Sequence, residues 1–252
     1  MQSKLVTIII PIYKIDLSLT EQISLNQCIK ILGNHSIVFV QPESLDTSSI
    51  NFEGRISFEK FPDHYFKNVF GYNRLMLTDS FYERFTDSKY ILIYQLDAYV
   101  FKDELLYWCS KDYDYIGAPW IATPNKGFKK VLSLFDSKKK KARSEIFYKV
   151  GNGGFSLRKV STHISNSKKM KSVIEQNLCR SKDDFRIMED VFWSSIPEHD
   201  SSFLIPDYKE GLQFAFDRKP ELALKLNNNK LPFGCHGFEK PKVRAFWNRM
   251  MP

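Results

Sequence analysis

The chain has 252 residues, 43% of them hydrophobic and 15% aromatic, and a formal net charge of +8. That length and composition fill a sizeable core and exclude disorder over most of the chain. No run of about 18 apolar residues occurs, which excludes a membrane-spanning helix. The four cysteines, Cys28, Cys109, Cys179 and Cys235, lie far apart with no C-x-x-C pair, and a reduced, cytoplasmic protein is expected.

KLVTIIIPIY reads as a buried strand stopped by Pro11. Its short apolar run lacks a small-residue cleavage site, so it is read as a first strand and not as a signal peptide. SLTEQISLNQCIKILG predicts a helix, opened by a capping box of Ser18 and Glu21 and closed at Gly33. HSIVFVQP predicts a second strand, giving the βα unit of a parallel sheet. Residues 43–60 are polar and less regular. YNRLMLTDSFYERF predicts a helix leading into the strand YILIYQLDAYVF. DELLYWCSK predicts a short helix, and YDYIGAPW a strand-like segment ending at Pro119. A lysine-rich connection spans 122–146, followed by VGNGGFSLRK and a polar helix near 166–180. MEDVFWSSIP, AFDRKP and LPFGCHGFEKP complete the pattern. The order predicts an α/β fold, with one mixed sheet, helices on both faces and no clean domain boundary.

The positive charge is uneven. Lys126, Lys129, Lys130, Lys138, Lys139, Lys140, Lys141 and Arg143 form one dense segment, and KPKVRAFWNRMMP forms another. A solvated loop is the plainer reading of such a run. The sharper one is a patch that holds the protein near anionic lipid or a phosphate-bearing ligand.

Ligands of open α/β sheets bind at the carboxyl ends of strands, where Asp97 is expected. A carboxylate there suits Mg²⁺ or Mn²⁺ shared with substrate phosphates, and equally suits a turn cap. His236, between Gly234 and Gly237, is a second candidate ligand or an ordinary satisfied histidine. Three glycines around Asn152 in GNGGF let a flat ligand such as a sugar ring approach the backbone, or form a tight turn. This is neither G-x-G-x-x-G nor a Walker loop. Glu189 and Asp190 are candidates for a general base, or acids favoured by a helix N-terminus. Arg74 is a candidate diphosphate partner or a surface ion-pair residue.

YILIYQLDAYVF, YDYIGAPW, VGNGGFSLRK, EDVFW and LPFGCHGFEK, in this order, resemble the bacterial domain-of-unknown-function family DUF5672, grouped with GT-A-fold glycosyltransferases. The resemblance runs from IPIYK to the final basic segment. A looser likeness is to glycosyltransferase family 8, with YNRL, QLD, GNGG, ED and HGFEKP as the corresponding stretches. It implies a GT-A-like, Rossmann-like, mostly parallel sheet in a single domain over 1–252. Residues 1–120 would form a nucleotide-binding half, 147–240 an acceptor and catalytic half, and 122–146 a basic loop.

The resemblance implies a hexosyltransferase-type enzyme using a nucleotide-diphosphate sugar, with UDP as the expected nucleotide. Pro11, Tyr13, Asn73, Arg74, Gln95, Asp97, Asn152, Gly153 and Gly154 are assigned to the donor. Asp97 stands for the last acid of Asp-x-Asp, and His236 for the C-terminal metal-binding histidine, so Mn²⁺ or Mg²⁺ is the expected cofactor. The first acid is Gln95 here, which predicts weaker or dispensable metal binding. Asp190, with Glu189 as alternative, is the expected catalytic base. The expected acceptor is a saccharide or lipid-linked saccharide of surface polysaccharide synthesis, with peripheral association at the inner membrane face through the basic residues. Two other classes stay open. One is a non-catalytic nucleotide-sugar or carbohydrate-binding protein. The other, a nucleic-acid-binding protein, lacks zinc-finger spacing, an RNP-like segment and a basic heptad helix, so no nucleic-acid partner is expected.

Overall fold

The computed structural model describes residues 4–47, 56–123, 144–180 and 184–251. Among the described residues nine strands form two sheets. They are β1 (Lys4–Pro11), β2 (Ser36–Pro42), β3 (Ile56–Phe61), β4 (Ser88–Tyr94), β5 (Ala98–Val100), β6 (Tyr115–Gly117), β7 (Phe155–Lys159), β8 (Ala215–Phe216) and β9 (Gly234–His236). The six-stranded sheet has the order β3-β2-β1-β4-β7-β6, and the three-stranded sheet the order β5-β9-β8. β1 to β4 run parallel, while β7 is antiparallel to both β4 and β6. The expected mixed, mostly parallel α/β sheet with helices on both faces is therefore what the chain forms.

The unbroken apolar runs of β1 and β4 follow from burial on two faces. Ile8, Ile10, Leu92 and Tyr94 point to one side, against Leu25, Cys28 and Leu32 of the Leu19–Leu32 helix. Ile9, Ile91 and Ile93 point to the other, against Leu75, Phe81, Val160 and Trp193. Period-2 alternation sends successive residues into opposite cores, so neither face tolerates a charge. The Leu19–Leu32 helix carries the expected capping box. Ser18 Oγ accepts from Glu21 N, and Glu21 Oε2 accepts from Ser18 N at 2.7 Å. Gly33 caps its other end in a right-handed conformation, so no left-handed glycine turn is needed there.

Four local expectations change. The stretch YILIYQLDAYVF is two strands and not one. β4 stops at Tyr94, a turn closes with Ala98 N donating to Gln95 O at 2.8 Å, and β5 leaves for the smaller sheet. The helix expected over YNRLMLTDSFYERF is two, Val69–Leu75 and Asp79–Glu83, because Thr78 starts a new one by accepting from Phe81 N. The polar helix near 166–180 begins earlier and breaks at Met170, which is drawn into the core between Val160–Lys169 and Lys171–Leu178. Part of the polar stretch 43–60 forms β3 on the sheet edge. The dense lysine segment expected as a basic loop lies outside the described residues.

Candidate active site at the carboxyl edge of the sheet

The break after Tyr94 is what builds the site. Gln95 N still donates to Gly154 O at 2.8 Å, tying the end of β4 to the loop entering β7. β5 then pairs with β9 so that Ala98 faces His236. Asp97 O accepts from Gly237 N at 2.8 Å and Phe238 N at 3.3 Å. These backbone bonds bring the Asp97 carboxylate to His236, with Oδ1 at 3.0 Å from Nε2. β8 lies parallel to β9 with Phe216 facing Cys235, which carries Asp217 to the other side of the same ring. Asp217 Oδ1 is 3.3 Å from His236 Nδ1. The imidazole is thus held between two carboxylates supplied by two strand ends.

Burial opposes charging of His236, but Asp97 and Asp217 outweigh it and raise its pKa to about 9. Burial likewise opposes ionisation of Asp97, yet His236 and then Lys240 hold its pKa below the usual value. Lys240 Nζ stands 3.9 Å from Asp97 Oδ2. Gln95 Oε1 approaches His236 Nε2 at 3.2 Å, so amide, carboxylate and imidazole converge on one spot. Oxygen and imidazole donors are types that a divalent cation accepts. Asp97, Gln95 and His236 Nε2 would face it, while Asp217 fixes the ring from Nδ1, the usual arrangement for a ligating histidine. It is a sparse set, since no group of three His, Cys, Asp or Glu side chains is placed to hold a metal among the described residues.

A cleft of about 670 Å³ opens beside this cluster, within the size range of small-molecule sites. Pro11 and Tyr13 line it from the end of β1, Gln95 and Asp97 from the end of β4, and Tyr72 from the Val69–Leu75 helix. Lys14 and Lys67 add cations at its rim. Pro11, Tyr13, Gln95 and Asp97 therefore come together as the sequence leads one to expect. Asn73 and Arg74 do not. Asn73 is buried behind the cleft, where its Oδ1 accepts from Glu189 N at 2.7 Å and its Nδ2 donates to Val69 O at 2.6 Å. Arg74 is exposed and outside the cleft lining. The helix that carries both residues presents Tyr72 to the cleft instead.

The glycines of GNGGF meet the protein's own side chains. A Cβ on Gly154 would lie 2.2 Å from His236 Nε2 and 2.6 Å from Gln95 Oε1. One on Gly153 would lie 1.8 Å from Glu189 Oε1. Asn152 adopts a left-handed φ of 47° between them and the strand before, and its side chain is buried. Glu189 faces inward. Its Oε1 accepts from Arg158 Nη2 at 2.9 Å, and both side chains are sealed from solvent. Asp190, next in sequence, is only partly buried and its Oδ2 accepts from Gly153 N at 3.4 Å. Burial raises its pKa above that of an ordinary aspartate.

Sequence reasoning missed Asp217 and Arg158. Asp217 follows a two-residue strand too short to recognise. Arg158 carries a readable signal, a cation alternating with Ser156 inside FSLRK, and its partner lies 31 positions away.

The mixed α/β fold of the chain recurs among solved structures. The apo-form glycosyltransferase GlyE of Streptococcus pneumoniae TIGR4 shares it, with a TM-score of 0.53 at 10% sequence identity over 99% of this chain. The chain spans 60% of that protein's chain. The protein itself belongs to the family described as protein of unknown function DUF5672, whose family model matches residues 55–236. No curated protein sequence matches the chain. No helix among the described residues is long and apolar enough to cross a membrane.

Proposed function

We propose that the protein is a glycosyltransferase of hexosyltransferase type that takes its sugar from a nucleotide-diphosphate donor, with UDP as the nucleotide. The observation that carries this is the Asp97–His236 pair at 3.0 Å beside a cleft at the carboxyl ends of β1 and β4. Pro11, Tyr13 and Tyr72 supply apolar and aromatic walls for the nucleoside. Asp97, His236 and Gln95 would hold Mg²⁺ or Mn²⁺, and the cation would supply positive charge for the departing diphosphate. Lys240 and Lys67 add positive charge near the same place, the role the sequence had given to Arg74.

Asp190 is the base that takes the proton from the acceptor hydroxyl where transfer inverts at the anomeric carbon, the outcome the acid pair suits, whereas the family 8 likeness points to retention. Asp190 Oδ2 accepts from Gly153 N at 3.4 Å, and the carboxylate stays partly open to an acceptor. Glu189 is the weaker candidate because Arg158 already occupies it. The acceptor is a saccharide or a lipid-linked saccharide of surface polysaccharide synthesis. The proposed place of work is the cytoplasm, with the basic segments at the inner membrane face.

A thermal-shift screen of nucleotide-diphosphate sugars, with and without Mn²⁺, tests this on wild type and Asp97→Ala. A donor at about 100 times its Kd stabilises by about 2.7 kcal/mol, which is readily detected. Stabilisation of wild type alone, and only with the cation, supports the assignment. No response to any donor sinks it. Gln95 favours one second reading, a protein that binds the donor without transferring its sugar. Binding with neither transfer nor donor hydrolysis would establish that reading.

A further inference from the structure

Of the four tryptophans, Trp108, Trp193 and Trp247 are sealed in the core. Trp120, the last residue of the YDYIGAPW segment, is half-buried, and no other aromatic ring packs against it among the described residues. Its six-membered ring lies directly on the backbone of Gly151, where an added Cβ would fall 2.0 Å from Cη2 and 2.2 Å from Cζ3. The backbone fixes it on both sides. Tyr148 N donates to Trp120 O at 2.7 Å, and Trp120 N donates to Lys149 O at 3.1 Å. Pro119 bridges Val150.

The position of this ring follows from topology. β7 runs antiparallel to both β4 and β6, so the entry to β7 and the exit from β6 lie at the same edge as Gln95 and Asp97. Along that edge Gly154 touches Gln95 and His236, Gly153 touches Asp190, and Gly151 touches Trp120. Gly151 and Gly153 are two residues apart, at most about 7 Å of extended chain, so the residues that touch Trp120 and Asp190 are near neighbours on one loop.

A partly exposed indole seated on a glycine is a surface of the kind on which the apolar face of a pyranose stacks. We infer that Trp120 is the platform of an acceptor subsite that binds a saccharide and aims one of its hydroxyls at Asp190. This deepens the glycosyltransferase reading and rests on it for the role of the bound sugar. The ligand class itself rests on the ring, its glycine support and its place on the edge. The cleft given to the nucleotide is walled by Pro11, Tyr13 and Tyr72, and Trp120 is not part of its lining.

The test titrates the intact protein with N-acetylglucosamine, galactose and maltotriose, each alone and with UDP, while following tryptophan fluorescence. Trp120→Phe and Trp120→Ala are measured beside wild type, and melting curves confirm that each folds. A saturable fluorescence change is expected for at least one sugar in wild type. In Trp120→Ala the affinity, read by isothermal calorimetry, should fall about tenfold or more, with Trp120→Phe between the two. The melting shift induced by a nucleotide-diphosphate donor should be the same in all three. Equal sugar affinity in wild type and Trp120→Ala overturns the inference, as does the absence of any sugar response in wild type. If no donor binds wild type but a sugar does so through Trp120, the transferase reading falls while the saccharide subsite stands.

Discussion

Arg158 and Glu189 meet at 2.9 Å with almost no solvent access to either side chain. Arg158 also donates to Tyr82 Oη, Ser156 Oγ and Gly153 O, and its guanidinium lies over the Tyr115 ring at 5.4 Å. Glu189 N in turn donates to Asn73. One ion pair therefore joins β7, the glycine loop and the Glu189–Ser195 helix, so the loop cannot shift without breaking buried polar contacts. Burying such a pair gains little over an apolar one, but removing one partner strands the other. Arg158→Met should cost about 3–5 kcal/mol in urea unfolding. Arg158→Met with Glu189→Leu should recover most of that loss. A double variant no more stable than the single one would show that the pair is not the main tie.

His236 makes stability depend on pH. Its pKa is raised from the ordinary 6.5 to about 9 by Asp97 and Asp217, against the effect of burial. A folded pKa above the unfolded one means that the folded chain holds the proton more tightly. The contribution is fully present below pH 6.5 and is lost as pH rises through 9, and it amounts to about 3 kcal/mol at most. Melting temperature measured with EDTA should therefore fall between these limits in wild type, and more weakly in His236→Asn. Mn²⁺ affinity should move the other way over the same window, because a ligating imidazole must first release its proton. Calorimetry at pH 6.5 and 8.5 separates the two trends, and a metal affinity independent of pH would remove His236 from the coordination.

Gly154 is where the backbone leaves room for the site's own side chains. Alanine there would place Cβ 2.2 Å from His236 Nε2 and 2.3 Å from its Cδ2. The ring cannot swing freely, since Asp97 and Asp217 hold it from both nitrogens. Gly154→Ala should destabilise by about 1–3 kcal/mol, as overpacking does. It should also abolish the donor-induced melting shift. A variant that melts lower yet binds donor as before would show that the His236 position is not needed for the donor.

The sheet was legible because burial on two faces writes itself as unbroken apolar runs, as in Ile8 to Ile10 and Ile91 to Tyr94. The turn at Gln95 was not, because YILIYQLDAYVF stays apolar across a change of sheet. Only long-range pairing of β5 with β9 reveals it. Asp97 and His236 were readable as motif residues, but Asp217 was not. Its neighbour β8 has two residues and owes its strand form to β9 alone. Asn73 and Arg74 lie off the cleft for a related reason. The Val69–Leu75 helix turns Val69 and Tyr72 to the cleft. Its rotation is set by Leu75 in the core and by the bond from Asn73 to Glu189.

Adjacent carboxylates that differ this much in surroundings should respond differently to replacement. Glu189 is enclosed with Arg158, while Asp190 is only partly buried and touches the backbone of Gly153. Asp190→Asn keeps shape and the bond from Gly153 N but removes the proton acceptor. It should lower kcat by about 10² to 10⁴, leaving donor binding and melting temperature near wild type. Glu189→Gln leaves Arg158 facing a neutral amide, so its first effect should be a loss of stability, with kcat falling only as far as the loop is displaced. Single-turnover rates beside melting curves distinguish the two. If Asp190→Asn transfers sugar at the wild-type rate, the base lies elsewhere. If Glu189→Gln alone abolishes transfer while remaining as stable as wild type, the roles of the two acids are exchanged.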